Sequence, residues 1–210
     1  MFEAAHTAGI ERIVHVSVSG ADRADDLPYF RGKHRIDEWL ATSGLEHSIV
    51  RPTLVFGPND LLLNNIAWIL RRMPVFAIPT GGEYLVQPVS LRDTARICID
   101  AAANATVDAA GPETLSFGEL VRRVRTAVGA RTLLVGSPTG VCLSLVALAN
   151  RFLHDVVVTR DELTGLSRSL LVSDAEPLGT DRLSDWLDSA GAGLGHRYVS
   201  ELARNFHGEK

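Results

Sequence analysis

The sequence predicts an α/β domain built on a parallel sheet and followed by a mostly helical C-terminal part, and three observations carry that prediction. A β-branched alternating run from Ile13 to Ser19, a helical pattern, and a second β run from His47 to Val50 follow one another, and strand, helix, strand in that order means a parallel crossover. A chain of 210 residues with 46% hydrophobic content buries a full core. Beyond the second strand, Ser/Thr-x-x-acid signatures open one helix after another.

The elements justify themselves in order. Residues 2–8 read as the end of a helix closed by Gly9, so the chain opens in mid-fold. Ile13 to Ser19 then alternates as a half-buried strand does. Pro28 suits the first turn of a helix, Ile36, Trp39 and Leu40 recur at helical spacing, and Gly44 supplies the stop. That helix carries Tyr29 and Lys33 and should join two adjacent parallel strands through a right-handed crossover. The second strand ends at Arg51-Pro52, and the residues from Gly57 to Asp60 turn into an apolar helix over 61–72. Ser90-x-x-Asp93, Ser116-x-x-Glu119 and Thr159-x-x-Glu162 announce helices over 94–103, 120–128 and 163–170. With no internal repeat or long linker, residues 1–210 read as a single domain, 1–130 carrying the sheet unit and 131–210 a helical extension.

Composition narrows the partners. A net charge of −4 leaves no broad positive field, which excludes nucleic acid and makes Arg71-Arg72 and Arg122-Arg123 solvated helix faces. Cys98 and Cys142 are far apart in apolar helical settings and read as buried thiols without a disulfide, in a reducing compartment. No leader pattern opens the chain and no run reaches the ~18 apolar residues of a membrane span, so the expected address is the cytoplasm. The longest apolar stretch, 141–149, reads as core packing. The seven histidines, His6, His15, His34, His47, His154, His196 and His207, lack close ligand spacing, and no metal is expected. Trp39, Trp68 and Trp186 fall in helical patterns and read as packing residues.

Chemistry concentrates on one helix. Tyr29 and Lys33 are four apart and therefore share a helix face one turn from each other. A phenol titrates near ~10 in water, and an ammonium a few ångströms away favours phenolate, which moves the group toward general acid–base use. Ser17 and Ser19 leave the same face of their strand, where one hydroxyl can meet a substrate oxygen beside the tyrosine. The spacing alone describes many half-buried rings beside solvated amines; the order strand-Ser, Tyr-x-x-x-Lys, strand-Arg-Pro is far harder to reach by accident.

At these residues the sequence resembles the extended or atypical branch of the short-chain dehydrogenase/reductase superfamily, which includes NAD-dependent epimerase/dehydratase-like proteins. Ile13 to Gly20 is similar to the strand bearing the active-site serine, Pro28 to Lys33 to the catalytic tyrosine and lysine, Ser48 to Pro58 to the next strand and loop, and Gln87 to Thr94 to the segment leading into the substrate lobe. The ending from Thr159 to Leu166 looks most like relatives of the Rossmann-type accessory subunit of respiratory complex I, several of which are not known for turnover. The resemblance implies a partial Rossmann-like sheet, NAD or NADP as cofactor and a small-molecule substrate. It implies Ser19, with Ser17 as runner-up, on the substrate oxygen, Tyr29 as proton donor or acceptor, and Lys33 on the nicotinamide ribose. Ser17, Lys33, Pro52, Thr53, Leu54 and Val55 would line the nicotinamide. Gly32 departs from the commoner serine or alanine and reads as a site of close packing.

A dinucleotide also needs its pyrophosphate at a helix N-terminus after a Gly-rich turn. Gly191-x-Gly-x-Gly195 has no strand before it, the stretch from Gly136 to Gly140 lacks a P-loop lysine, and Gly81-Gly82 sits in a turn. The chain is therefore expected to be the downstream part of a longer protein, through a misplaced start or a gene fragment, and unable to bind the cofactor alone. Its parallel strands would then present an unpaired apolar edge that aggregates or takes a partner chain or the missing N-terminal half. Three functions compete at this point: a nicotinamide-dependent reductase, dehydrogenase or epimerase; a non-catalytic nucleotide-binding or assembly module; and a non-functional fragment.

Overall fold

In the computed structural model, which describes residues 4, 7–58, 60–142, 144 and 160–200, the alternating run becomes strand β1 (Arg12–Val16) and the helical pattern becomes α1 (Pro28–Thr42). Pro28 takes the first turn of α1, and Gly44, at φ 75°, turns the chain just past its end. The chain returns as β2 (Glu46–Pro52), parallel to β1 with Val14 opposite Ser48 and Val16 opposite Val50. The parallel strand-helix-strand unit is the one the sequence predicts. On the far side of β2 lies β7 (Ala105–Ala109), also parallel, giving the order β1-β2-β7.

The other edge of β1 carries no strand among the described residues. Val14 and Val16 are 40% and 46% exposed, an uncovered apolar face where a parallel sheet ordinarily has neighbours on every side.

Between β2 and β7 the chain runs through β3 (Leu54–Phe56), α2 (Leu61–Arg72), β4 (Val75–Pro79), β5 (Leu85–Val86), β6 (Pro88–Ser90) and α3 (Leu91–Asp100). After β7 come β8 (Leu115–Ser116), α4 (Phe117–Ala127), β9 (Leu133–Ser137), α5 (Arg160–Ser167) and α6 (Leu183–Ala190). Parallel pairs β3–β6 and β4–β9 and the antiparallel pair β5–β8 complete the strand pairing. Strand β9 stands in a region the sequence reads as helical. The Thr159 cap and most of the 141–149 stretch lie outside the described residues.

Caps fix the helix starts. Asp60, Ser90 and Ser116 accept hydrogen bonds from the amides of Leu63, Asp93 and Glu119, so α3 and α4 begin three residues earlier than their apolar patterns suggest. The main core joins α2, α4 and α6 around Phe56, Leu63, Leu120, Val124 and Leu183. A smaller one, made by Val18, Ala21, Ala24, Leu27, Phe30 and Leu170, sits under the N-terminus of α1.

The arginine pair of α2 is no solvated face. Arg71 donates to the carbonyls of Leu194 and Ala192, and Arg72 to those of Gly195 and His196, with its guanidinium 4.8 Å from the Trp68 ring. Trp68 and Trp186 pack as expected, against Tyr198 and Phe56, whereas Trp39 is 40% exposed. Cys142 is buried and Cys98 half-buried, and burial raises both thiols above their ordinary value. No described helix is long and apolar enough to cross a membrane.

Candidate functional site

The candidate residues collect at the C-terminal ends of β1 and β2, where open α/β sheets place their ligand crevices. Past the end of β1 the chain stays extended, the Ser17 amide donating to Val50 and the Ser19 amide to Pro52, each at 2.8 Å. Both serines therefore leave the same side, as alternation predicts, and both are buried.

Their hydroxyls have separate fates. Ser17 Oγ lies 3.0 Å from Oδ2 of Asp37, a 3%-exposed acid that follows Tyr29 and Lys33 at four-residue spacing on α1. The same carboxylate oxygen accepts from Arg51 Nε at 3.0 Å, and Arg51 Nη1 continues to Asp22 at 2.9 Å. Burial alone would lower the Arg51 guanidinium's pKa, but Asp22 and Asp37 together raise it and keep the group charged. His15 Nε2 stands 3.5 Å from Asp37 Oδ1; burial holds this imidazole below its ordinary value against the pull of Asp37, and the Lys33 charge adds to the lowering.

Ser19 is sealed, with 0% exposure and its Oγ 3.4 Å from the Val172 carbonyl. The segment 170–173 straps across the strand ends. Arg23 donates to the carbonyls of Val172 (2.9 Å) and Leu170 (3.4 Å), the Ser173 hydroxyl to Asp108 (2.5 Å), and the Gln87 amide to Leu171 (3.1 Å). Gly20 admits the strap: it has φ 72°, and a Cβ there would lie 2.8 Å from the Leu170 carbonyl oxygen.

Tyr29 is 52% exposed, its ring edge-on to Phe30 with centroids 5.5 Å apart. Lys33 donates through Nζ to the Val16 carbonyl at 3.0 Å. Tyr29 and Lys33 thus share an accessible face, while the serines are held elsewhere. Asp37 belongs to this site and is absent from the sequence reading; the spacing 29, 33, 37 is the signal that would have found it.

The residues expected to line a nicotinamide are engaged within the chain. The Thr53 amide donates to the Ala109 carbonyl at 3.0 Å and the Leu54 amide to the Gln87 carbonyl at 3.3 Å. Pro52 and Thr53 are buried; Leu54 and Val55 are half-buried. No described strand runs through a Gly-rich turn into a helix, so the described residues offer no cradle of that kind for pyrophosphate. A dinucleotide does not fit them without further structure. Among the described residues no group of His, Cys, Asp and Glu could hold a metal ion.

Two further acids hold the C-terminal part in place. Burial by itself would raise the Asp93 carboxyl, yet the amides of Asp181 and Thr180 (2.8 and 2.7 Å) and the Arg96 guanidinium bring it below its ordinary value. Glu113 behaves alike: the Ser184 amide (3.0 Å) and Arg123 and Arg182 overcome burial and lower it. Asp93 serves as a tertiary clamp, where the sequence suggests the second half of a capping box.

No protein-family model matches the chain. It is similar to the mitochondrial NADH-ubiquinone oxidoreductase 40 kDa subunit of Neurospora crassa, 25% identical over 166 residues that make up 77% of this chain and 43% of that subunit. The chain thus spans less than half the length of this relative. Among solved structures it matches an NADPH-dependent quinone oxidoreductase from Escherichia coli complexed with NADPH, at a TM-score of 0.70 and 18% identity over 89% of this chain and 68% of that one. It also matches the Citrobacter sp. triphenylmethane reductase complexed with NADP(H), at a TM-score of 0.71 and 14% identity over 90% and 68% of the two chains. The fold is the parallel α/β fold of such NAD(P)-binding Rossmann structures.

Proposed function

We propose that this chain forms the strand-end half of a nicotinamide dinucleotide-binding protein of the short-chain dehydrogenase/reductase type, serving binding or assembly ahead of turnover. One observation carries the choice between module and enzyme: Ser17 is turned to Asp37 and Ser19 is sealed under Val172. A hydroxyl whose proton faces a buried carboxylate has none to offer a substrate oxygen, and one without solvent exposure meets no substrate. Tyr29 and Lys33 are then a ligand-facing pair without the serine that turnover in this family uses.

The remaining parts of such a site, a Gly-rich turn and the strands beside β1, are proposed to come from outside these 210 residues, as the rest of a longer protein or as a partner chain. The uncovered Val14 and Val16 support this. NAD or NADP would be the ligand and the cytoplasm the setting. Similarity to a subunit of NADH-ubiquinone oxidoreductase favours the assembly side of the reading.

The enzyme reading keeps one favourable observation, the half-exposed phenol of Tyr29 one helical turn from Lys33. Under it Tyr29 handles the proton while hydride passes to or from the nicotinamide.

Calorimetry with NADH and NADPH tests both. The 210-residue chain should show no micromolar binding, and an in-frame longer form carrying the Gly-rich turn should bind. In that longer form Tyr29→Phe should leave binding and any trace turnover unchanged. A loss of turnover by about two orders of magnitude with binding retained would establish the enzyme reading instead. Micromolar binding to the 210-residue chain would overturn the division of the site.

A further inference from the structure

Helix α5 ends at Ser167, and Ser169 then takes φ 54°, a left-handed turn that a helix end usually gives to glycine. A serine holds that conformation at a cost, which the contacts beyond it must offset. From there the strap and the residues after it run between two fixed posts. The Leu170 side chain is 6% exposed in the small core with Val18, Leu27 and Phe30, and the Leu178 carbonyl accepts from Arg96 at 2.8 Å. Between the posts Leu171 packs only partly against the cores, and no side chain from 171 to 178 is buried. Polar contacts therefore do most of the holding. The Val172 carbonyl oxygen accepts from Arg23 Nη2 at 2.9 Å and lies 3.4 Å from Ser19 Oγ, and Arg23 also meets Asp174 at 3.5 Å. Ser173 is the second anchor, its hydroxyl donating to Asp108 and its amide to Oε1 of Gln87.

We infer that the strap is an autoinhibitory cover: it opens to free Ser19, and it closes by setting its own Val172 carbonyl where the oxygen of a carbonyl-bearing ligand would meet that hydroxyl. The chain thus supplies a stand-in for the ligand. Closed, the strap leaves Ser19 with 0% exposure and occupies its hydroxyl. A cover held by a few polar contacts over a strained exit opens locally while the cores beneath it stay packed, and a ligand that takes the serine shifts the balance toward the open form. Arg23 and Ser173 reach Ser19 only through the strap and are positioning residues. The inference rests on the reading of Ser19 as a ligand-facing group, and it concerns access to that group, whatever binds the dinucleotide.

Thiol labelling of the 210-residue chain tests it without any dinucleotide. In Ser19→Cys the new thiol should react with iodoacetamide about 100-fold more slowly than an exposed thiol, at a rate set by opening of the strap. Adding Arg23→Gln or Ser173→Ala, each of which removes one anchor, should speed labelling at position 19 by about tenfold and leave the buried Cys142 as it was. Mass spectrometry separates the two sites. Hydrogen exchange at the Ser173 amide reads the same opening with Ser19 intact, and Arg23→Gln should accelerate it by a similar factor while the amides of α4 keep their protection. Labelling and exchange that neither anchor variant changes would overturn the inference and make the strap a permanent wall. So would labelling at position 19 that rises in step with Cys142, since opening would then be unfolding, or a thiol at position 19 as reactive as an exposed one. None of these outcomes depends on NADH binding by a longer form, so the inference and the proposed function can fail separately.

Discussion

Ser17 and Asp37 stand 20 residues apart in sequence, and the hydroxyl of one lies 3.0 Å from the carboxylate of the other in a buried site that also takes Arg51. The acid is 3% exposed, so its Oδ2 relies on those donors in place of water. Asp37→Ala leaves Arg51 with Asp22 alone and the Ser17 hydroxyl without its acceptor. Removing one partner from a buried ion pair typically costs about 3 kcal/mol, whereas Ser17→Ala removes one hydrogen bond and should cost about 1 kcal/mol. Urea unfolding of the two variants checks the order; Asp37→Ala falling at or below Ser17→Ala would show that the carboxylate is not the hub of the cluster.

That hub explains why the fold was more legible in the sequence than the site. Strand alternation from Ile13, Pro28 at the start of α1 and Gly44 past its end are local signals, and each marks the element that forms. The Ser90 and Ser116 caps are local too. Strand β9 escapes because Leu133–Ser137 is mostly exposed and becomes a strand through pairing with β4, 58 residues upstream at Val75–Leu133. Alternation likewise puts Ser17 and Ser19 on one side of β1, but nothing local says that Asp37 will claim the first or that Val172, 153 residues on, will cover the second. Arg71 and Arg72 look solvated for the same reason: their carbonyl partners lie more than a hundred residues away.

The strap over Ser19 depends on a glycine. Gly20 holds φ 72°, and a Cβ would sit 2.8 Å from the Leu170 carbonyl oxygen, which belongs to backbone and yields little. Gly20→Ala should therefore cost about 2 kcal/mol or more, through left-handed strain and displacement of the strap together. Hydrogen exchange should show faster exchange at Ser173, whose amide donates to Gln87. Stability and exchange equal to the parent would mean that the strap does not rest on Gly20.

Glu113 makes stability depend on acid. Despite its burial, the Ser184 amide and hydroxyl and the Arg123 and Arg182 guanidiniums hold its carboxyl below the ordinary value of 4.5. A carboxylate lowered in the folded state stabilises that state fully above its unfolded value, and the contribution is lost as pH falls through the folded value. Stability should hold from neutral pH down to about 4.5 and fall as the pH goes below it, and Glu113→Gln, which keeps an acceptor for Ser184 but no charge, should flatten that fall. A Glu113→Gln profile parallel to the parent's would assign the acid loss to other groups, with Asp93, lowered by the amides of Asp181 and Thr180, next in line.

The uncovered face of β1 separates a sheet that ends at Val14 from one that continues. In the 210-residue chain Val14 is 40% exposed, so Val14→Lys places its ammonium in water and should change the unfolding free energy by about half a kcal/mol or less. A lysine also blunts an apolar strand edge, so light scattering from concentrated solutions should fall. If the longer protein supplies a strand and helix beside β1, the same lysine is buried without a partner there and should cost about 2 kcal/mol or more. The two measurements must disagree for the sheet to continue beyond β1. Equal and small effects in both forms would mean that Val14 faces solvent in either, and that the dinucleotide half, if present, joins the chain at some other surface.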